Sequence, residues 1–187
     1  MTAVALMNAH DGDLGVMKAV QLGDRRAFEE FLRGQERWVR GVVLGVLGDP
    51  GKVDDVAQQV WLNVWQRASE LRDVQKWKPW LYRLAYNAAI DAGRDTSRRR
   101  AQSLSLDEAS ADPAVSAVGH DGEERRVVLD AVLSLPAIYR EPFVLRHLNG
   151  WSYQQISEVM DMTVDSVETR LVRARRMLRE MLQDKVR

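Results

Sequence analysis

The chain has no cysteine in its 187 residues. That excludes disulfides, thiolate metal sites and cysteine nucleophiles, and it suits a reducing cytoplasm. Its N-terminus, MTAVALMNAHDGDLG, lacks the basic start and long apolar core of a signal peptide. The most apolar run, Val39 to Leu47, is interrupted by Arg40 and falls far short of a membrane span. The expectation is a soluble, cytoplasmic protein with no membrane contact of its own. Strand-like alternation is missing throughout, and no internal repeat is visible.

Signs of catalysis are missing too. Gly51-Lys52 resembles the end of a phosphate-binding loop, but Val46 and Val53 stand where glycine and a hydroxyl residue are needed. His10, His120 and His147 are scattered without metal-ligand spacing. Asp54-Asp55 and Glu29-Glu30 are adjacent pairs that a helix points in different directions, a poor arrangement for acid–base work. Neither an enzyme nor a metal or cofactor site is expected.

Net charge is zero, which taken alone argues against a nucleic-acid partner. The distribution changes that. Residues 101–122 hold Asp107, Glu108, Asp112 and Asp121 and no Lys or Arg, so the rest of the chain carries +4 by difference. Basic residues cluster at Arg94 to Arg100 and at Arg170 to Arg179.

What is present is clearest between Gly150 and Glu180. Ser152 and Gln155 form a Ser-x-x-Gln capping box, and Ile156, Val159 and Met160 give the helix after it one apolar face. Asp161-Met162-Thr163 is a turn, with Thr163 placed to cap the next helix. There Val164, Val167, Leu171, Ala174, Leu178 and Met181 recur at steps of three and four, forming a buried stripe. Asp165, Ser166, Thr169, Arg173 and Arg176 line the opposite face, with Arg170 on its flank. This is the pattern of a helix-turn-helix, whose second helix can enter a DNA major groove. An ordinary helical hairpin with a solvated basic face fits the same periodicity.

Upstream, the first dozen residues read as a tail. Helical spacing runs from Leu14 to Leu32, broken at Leu22-Gly23-Asp24, and a second stretch spans Arg33 to Leu47. Gly48-Asp49-Pro50-Gly51 stops it. A third helix covers Asp54 to Leu71, and Arg72 to Lys78 is a polar connector. Pro79 suits the first position of a fourth helix, striped by Leu81, Leu84, Ala85, Ala88 and Ala92. Residues 101–122, rich in Ala, Ser and Asp, read as a linker. Helices at Glu123 to Leu135 and Tyr139 to Leu148 then lead into the helix-turn-helix. The expected fold is all-α: a tail at 1–13, a helical domain at 14–100, a flexible acidic linker, and a second helical domain at 123–187.

Lys76-Trp77-Lys78-Pro79-Trp80 sets two indoles between cations, ahead of Tyr82 and Tyr86. Flat rings beside positive charge suit unpaired bases. Trp80 and Tyr82 read equally well as core, whereas Trp77, in the polar connector, is the better candidate for contact.

Four blocks together resemble bacterial RNA polymerase sigma factors of the extracytoplasmic-function (ECF) group. They are Ala27 to Phe31 after Gly23-Asp24-Arg25, Asp54 to Trp65, Trp80 to Asp91, and Leu135-Pro136 with Arg140-Glu141 and the helix-turn-helix. The resemblance implies that Asp54, Asp55, Gln58, Gln59, Trp61, Leu62 and Trp65 bind core RNA polymerase, at the clamp of its largest catalytic subunit. It implies that Lys76, Trp77, Lys78, Trp80, Arg83, Tyr86, Asn87, Asp91 and Arg94 open and read a −10 element. A flipped base would sit in the loop Leu71 to Lys78.

By the same resemblance, Tyr153, Gln154, Asp165, Ser166, Glu168, Thr169, Arg170, Arg173 and Arg176 would hold a −35 duplex. An anti-sigma factor wedged between the domains is a further expected partner. Three positions depart from the family pattern: Gln59 replaces a usual acidic residue, Tyr86 a common Arg, and Glu168 a frequent Lys or Arg. Glutamate can accept from cytosine, so Glu168 is a candidate base reader.

Two other readings fit part of the chain. A dimeric helix-turn-helix regulator acting without polymerase accounts for the C-terminal stretch but leaves Asp54 to Trp65 and the tryptophan cluster unexplained. A helical adaptor that binds only proteins fits the zero net charge but not the basic clusters.

Overall fold

A computed structural model describes residues 3–103 and 120–185, and among them the regular structure is entirely helical. Eight helices follow in order: α1 (Ala3–Gln21), α2 (Arg25–Leu47), α3 (Val53–Arg67), α4 (Trp77–Ser103), α5 (His120–Leu133), α6 (Ala137–His147), α7 (Tyr153–Met160) and α8 (Val164–Lys185). Most of the expected linker, 104–119, lies outside the described residues; its ends belong to α4 and α5.

Local chemistry fixes most helix ends. Asp24 caps α2 by accepting from the backbone N–H of Arg26 at 2.8 Å and Ala27 at 3.1 Å. Gly48, with φ 67°, ends it in a left-handed turn. The capping box of α7 forms in both directions: Ser152 N–H donates to Gln155 Oε1 at 2.9 Å, and Gln155 N–H to Ser152 Oγ at 3.2 Å. Thr163 Oγ1 accepts from Ser166 N–H at 3.2 Å, starting α8 after the left-handed Asp161.

Several boundaries differ from expectation, among them those of α1, α2 and α4. Helix α1 begins at Ala3, so helix extends into the stretch read as a tail. Helix α2 is continuous through Arg33, because Gly34 weakens a helix by only about 1 kcal/mol and no stop signal accompanies it. Helix α4 starts at Trp77 rather than Pro79, fed directly by a 3-10 turn at Val74–Lys76 that Asp73 caps. Pro79 still falls in the first turn, where its missing N–H has no helical acceptor to lose.

The first domain packs α2, α3 and α4 around Phe31, Trp38, Val43, Val60, Trp77 and Leu81. Trp77 stands at the centre, with its ring edge-on to Phe31 at 5.2 Å and Trp38 at 6.3 Å. In the second domain, Ile156, Val159, Val167 and Leu171 close α7 on α8, while Ala131, Leu135, Ala174 and Leu178 tie in α5.

The two domains are packed against each other. Helix α6 lies along α2 as extensively as α4 does, and α7 touches α4. Arg140, 8% exposed, anchors this seam. Its Nε donates to the Gly45 carbonyl at 2.7 Å and its Nη2 to Val46 at 3.0 Å, both at the C-terminal end of α2. Its Nη1 donates to the carbonyls of Leu133 at 2.7 Å and Leu135 at 3.1 Å, at the end of α5. One guanidinium thus serves unpaired carbonyls at two helix C-termini, one in each domain, where the helix dipoles also favour a cation. Gly48 leaves room for it: a Cβ there would sit 2.5 Å from Arg140 Nη1.

Candidate nucleic-acid interface

On α3, side chains separate by burial into an inner and an outer face. Val53, Val56, Ala57, Val60, Trp61 and Val64 face inward. Asp55, Gln58, Gln59, Leu62 and Trp65 face outward, and Leu62 and Trp65 remain 54% and 43% exposed. These two large apolar side chains share one helical stripe, three residues apart. Trp61 belongs to the core instead, edge-on to Phe28 and Phe31, which corrects its place among the contact candidates. Asp54 is committed to an ion pair with Arg40, and Gln59 donates to Asn63 Oδ1 at 3.2 Å.

The α4 surface changes more. Trp77, expected in contact, is 0% exposed; the connector turns it inward, because so large an apolar side chain gains most from burial. Lys78 lies over its ring at 5.3 Å. Trp80 is half-buried and remains the accessible indole of the pair. At 100° per residue, Trp80, Arg83, Asn87, Asp91 and Arg94 fall on one stripe, and all but Trp80 are exposed. Lys76 is exposed just ahead of the helix. Tyr86 sits on the flank, ring to ring with Tyr82 at 5.9 Å, on the side that meets the second domain.

On α8 the sequence-predicted face holds. Asp165, Thr169, Arg173 and Arg176 are exposed, and Ser166 is half-buried with its hydroxyl 2.8 Å from that of Thr163. Arg173 Nη1 donates to the Tyr139 hydroxyl at 3.3 Å, while Arg176 and Glu180 are 3.9 Å apart. Glu168 is exposed on one flank, and Arg170 lies half-buried on the other, toward the seam. Gln154 is exposed and Tyr153 half-buried at the start of α7.

Two cations were missed by the sequence reading. Arg175 Nη2 donates to the Tyr153 hydroxyl at 2.9 Å, and the Arg146 guanidinium stands 5.4 Å from the Tyr153 ring centre. Arg175 lies off the polar front of α8 and Arg146 belongs to another helix, so no single-helix pattern joins them. Burial, then the charges of Arg175 and Arg146, hold the His147 imidazole below its ordinary pKa.

At the seam, Tyr82 donates its hydroxyl to Glu141 Oε2 at 3.3 Å. Burial, then the Glu141 carboxylate, pushes the phenol pKa far up. Burial pushes Glu141 from an ordinary value near 4.5 up to about 7, against the lowering effects of Tyr82, Arg140 and Arg170, the groups that face it. A carboxyl raised on closure favours the closed seam when protonated. Its contribution is full below about 4.5 and is lost as pH rises through about 7. Scattering or inter-domain distance measurements between pH 5.5 and 8 should therefore show the domains separating more readily at the upper end. Glu141→Gln should flatten that dependence.

The fold and these surfaces define a two-domain helical protein with a C-terminal helix-turn-helix. Family comparison specifies it further. Residues 31–99 match the Sigma-70 region 2 model and residues 125–178 the Sigma-70 region 4 model. The chain belongs to the sigma-70 family of RNA polymerase sigma factors, within its ECF group.

It is 28% identical to the ECF RNA polymerase sigma-E factor of Haemophilus influenzae, over 91% of this chain and 95% of that one. It is likewise 28% identical to the ECF sigma factor SigK of Mycobacterium tuberculosis, over 89% and 91% of the two chains. With the RNA polymerase sigma-H factor of Pseudomonas aeruginosa the identity is again 28%, over 97% and 99%. Among solved structures, CnrH in complex with the cytosolic domain of CnrY aligns with a TM-score of 0.68 at 20% identity, covering 92% of this chain and 97% of CnrH. RpoE of Bartonella quintana, in complex with the anti-sigma factor NepR, aligns at 0.67 and 20% identity, covering 83% and 96%.

As a sigma factor, the chain is a transcription initiation factor. Among the described residues no helix is long and apolar enough to cross a membrane.

Proposed function

We propose that the chain, acting in the cytoplasm and without catalysis of its own, recruits core RNA polymerase to two-part promoters through three separate helical stripes. The outer face of α3 (Asp55, Gln58, Gln59, Leu62, Trp65) docks on the clamp of the largest catalytic subunit. The stripe on α4, with Lys76 ahead of it, holds the opened −10 strand: Trp80 offers the stacking surface, Arg83 and Arg94 the phosphate contacts, and Asn87 the base contact. The front of α8 enters the −35 major groove, with Tyr153 held by Arg146 and Arg175 beside the backbone.

The observation that carries this reading is the coexistence of three solvent-facing stripes in one chain, each on a different helix. A helix-turn-helix regulator acting alone uses only the third. An anti-sigma factor is a fitting additional partner, since RpoE occurs in complex with the anti-sigma factor NepR and CnrH with the cytosolic domain of CnrY.

The test is association with purified core polymerase, followed by run-off transcription from a promoter library. Initiation from a shared −10/−35 pair is expected; duplex binding without polymerase association would instead favour the lone regulator. Within that assay, Arg173→Ala or Arg176→Ala should weaken −35 binding by about 1–3 kcal/mol if the residue reads a base. Unchanged affinity would remove that residue from the interface.

A further inference from the structure

We infer that Glu168 and Val172, one helical turn apart on α8, read a cytosine beside a thymine on one strand of the −35 element. This rests on the −35 reading and deepens it, by naming the bases that two side chains of that helix recognise.

The first observation is an apolar side chain placed away from any core. Val172 is 55% exposed, and among the described residues it is the one large apolar side chain of α8 left so open. The buried stripe of that helix runs through Val167, Leu171, Ala174 and Leu178. At 100° per residue, Val172 stands about 160° from Ala174, about 20° from Asp165 and about 40° from Arg176. It therefore lies in the middle of the polar front. Neither packing nor helix propensity favours a β-branched residue there. In a major groove its methyl groups have one apolar counterpart on the base edges, the 5-methyl of thymine.

The second observation is a carboxylate without a cation. Glu168 is exposed, and its helical neighbours at three and four residues are Val164, Asp165, Leu171 and Val172, none of them basic. Among the described residues the ion pair on α8 is Arg176–Glu180, and Glu168 takes part in none. A bare carboxylate on a face that meets a duplex is repelled by the phosphates, so it opposes binding unless a base supplies a donor. Cytosine N4–H is that donor. Adenine N6–H comes with the N7 acceptor beside it, while guanine and thymine present acceptors alone. Side chains four residues apart on a helix have Cβ atoms about 5–6 Å apart. Neighbouring base pairs rise by about 3.4 Å, and the twist of the duplex carries their groove edges further apart, so the two side chains fall on consecutive pairs.

The test uses holoenzyme assembled from the full chain and core polymerase, selecting duplexes from a promoter library randomised across the −35 segment. The selected element should carry cytosine and thymine side by side on one strand. Replacing that thymine by deoxyuridine deletes only the 5-methyl, and should weaken binding about three- to fivefold, the effect of one buried methyl group. Val172→Ala should make thymine and deoxyuridine equivalent. Replacing the cytosine should weaken binding by the unmodified chain at least about tenfold. Glu168→Gln should move the preference at that position to adenine, because an amide pairs with the adenine donor and acceptor together.

The deoxyuridine comparison needs no variant, so it stands whatever the substitutions do to folding. An enriched element without the cytosine–thymine step, or equal affinity for thymine and deoxyuridine, overturns the inference and leaves promoter recognition intact. No enrichment at all by the unmodified holoenzyme would sink the −35 reading itself, and the inference with it.

Discussion

Arg140→Ala is expected to lower the unfolding free energy of the full chain by about 3 kcal/mol and to free the second domain from the first. The side chain is nearly inaccessible and donates to four backbone carbonyls, those of Gly45, Val46, Leu133 and Leu135. Removing it leaves four acceptors at two helix ends unpaired, each costing about 1–3 kcal/mol if it stays dry. Water entering along the seam limits the total. For a chain of this size, about 3 kcal/mol corresponds to a fall in Tm of roughly 6–12 °C.

Arg140→Lys should rescue less than half of that loss. An ammonium keeps the charge but places its donors on one nitrogen, whereas the planar guanidinium spreads them over a fork that reaches both helix ends. The exposed Arg33→Ala provides the comparison, with a change within about 0.5 kcal/mol. Equal melting temperatures for Arg140→Ala and Arg33→Ala would show that the latch carries no stability.

The second large effect is expected at α3. Replacing Asp55 and Trp65 together by alanine should weaken association with core polymerase at least a hundredfold, as loss of two interface hot spots of about 2 kcal/mol each implies. Asp55 is exposed, and Trp65 leans edge-on against Phe28 at 5.0 Å while presenting its far side to solvent. Replacing Trp65 costs some packing, so circular dichroism and melting must be recorded beside the binding curve. Retained helix with lost polymerase binding is the expected pair of results. Normal polymerase binding would move the docking surface elsewhere.

Much of the local architecture was legible in the sequence because its causes lie within a few residues. The Ser152–Gln155 capping box, the Thr163 cap and the buried stripe through Val167, Leu171, Ala174 and Leu178 all formed as read. The polar front of α8 followed from the same period, and family resemblance supplied the order of the blocks. The same local reasoning misplaced Trp77. Flanking lysines made Trp77 look accessible, but an indole goes wherever the most apolar surface can be covered, and here Phe31 and Trp38 were waiting. Periodicity does place Trp61 with Val53, Val56, Val60 and Val64 on the buried side of α3; resemblance alone had listed it as a contact.

Sequence by itself therefore determined the helical class, the helix-turn-helix, the polar front of α8 and the absence of any thiol chemistry. These depend on side-chain identity at short spacing, and short-range spacing is what a sequence displays. Only the tertiary structure decided that Arg140 joins two helix ends, that Glu141 meets Tyr82, that Arg146 and Arg175 converge on Tyr153, and that the domains close on one another. Arg140 and Gly45 are 95 positions apart, and Tyr82 and Glu141 are 59 apart. Such contacts come from the geometry of packed helices, which brings together groups that no local pattern connects.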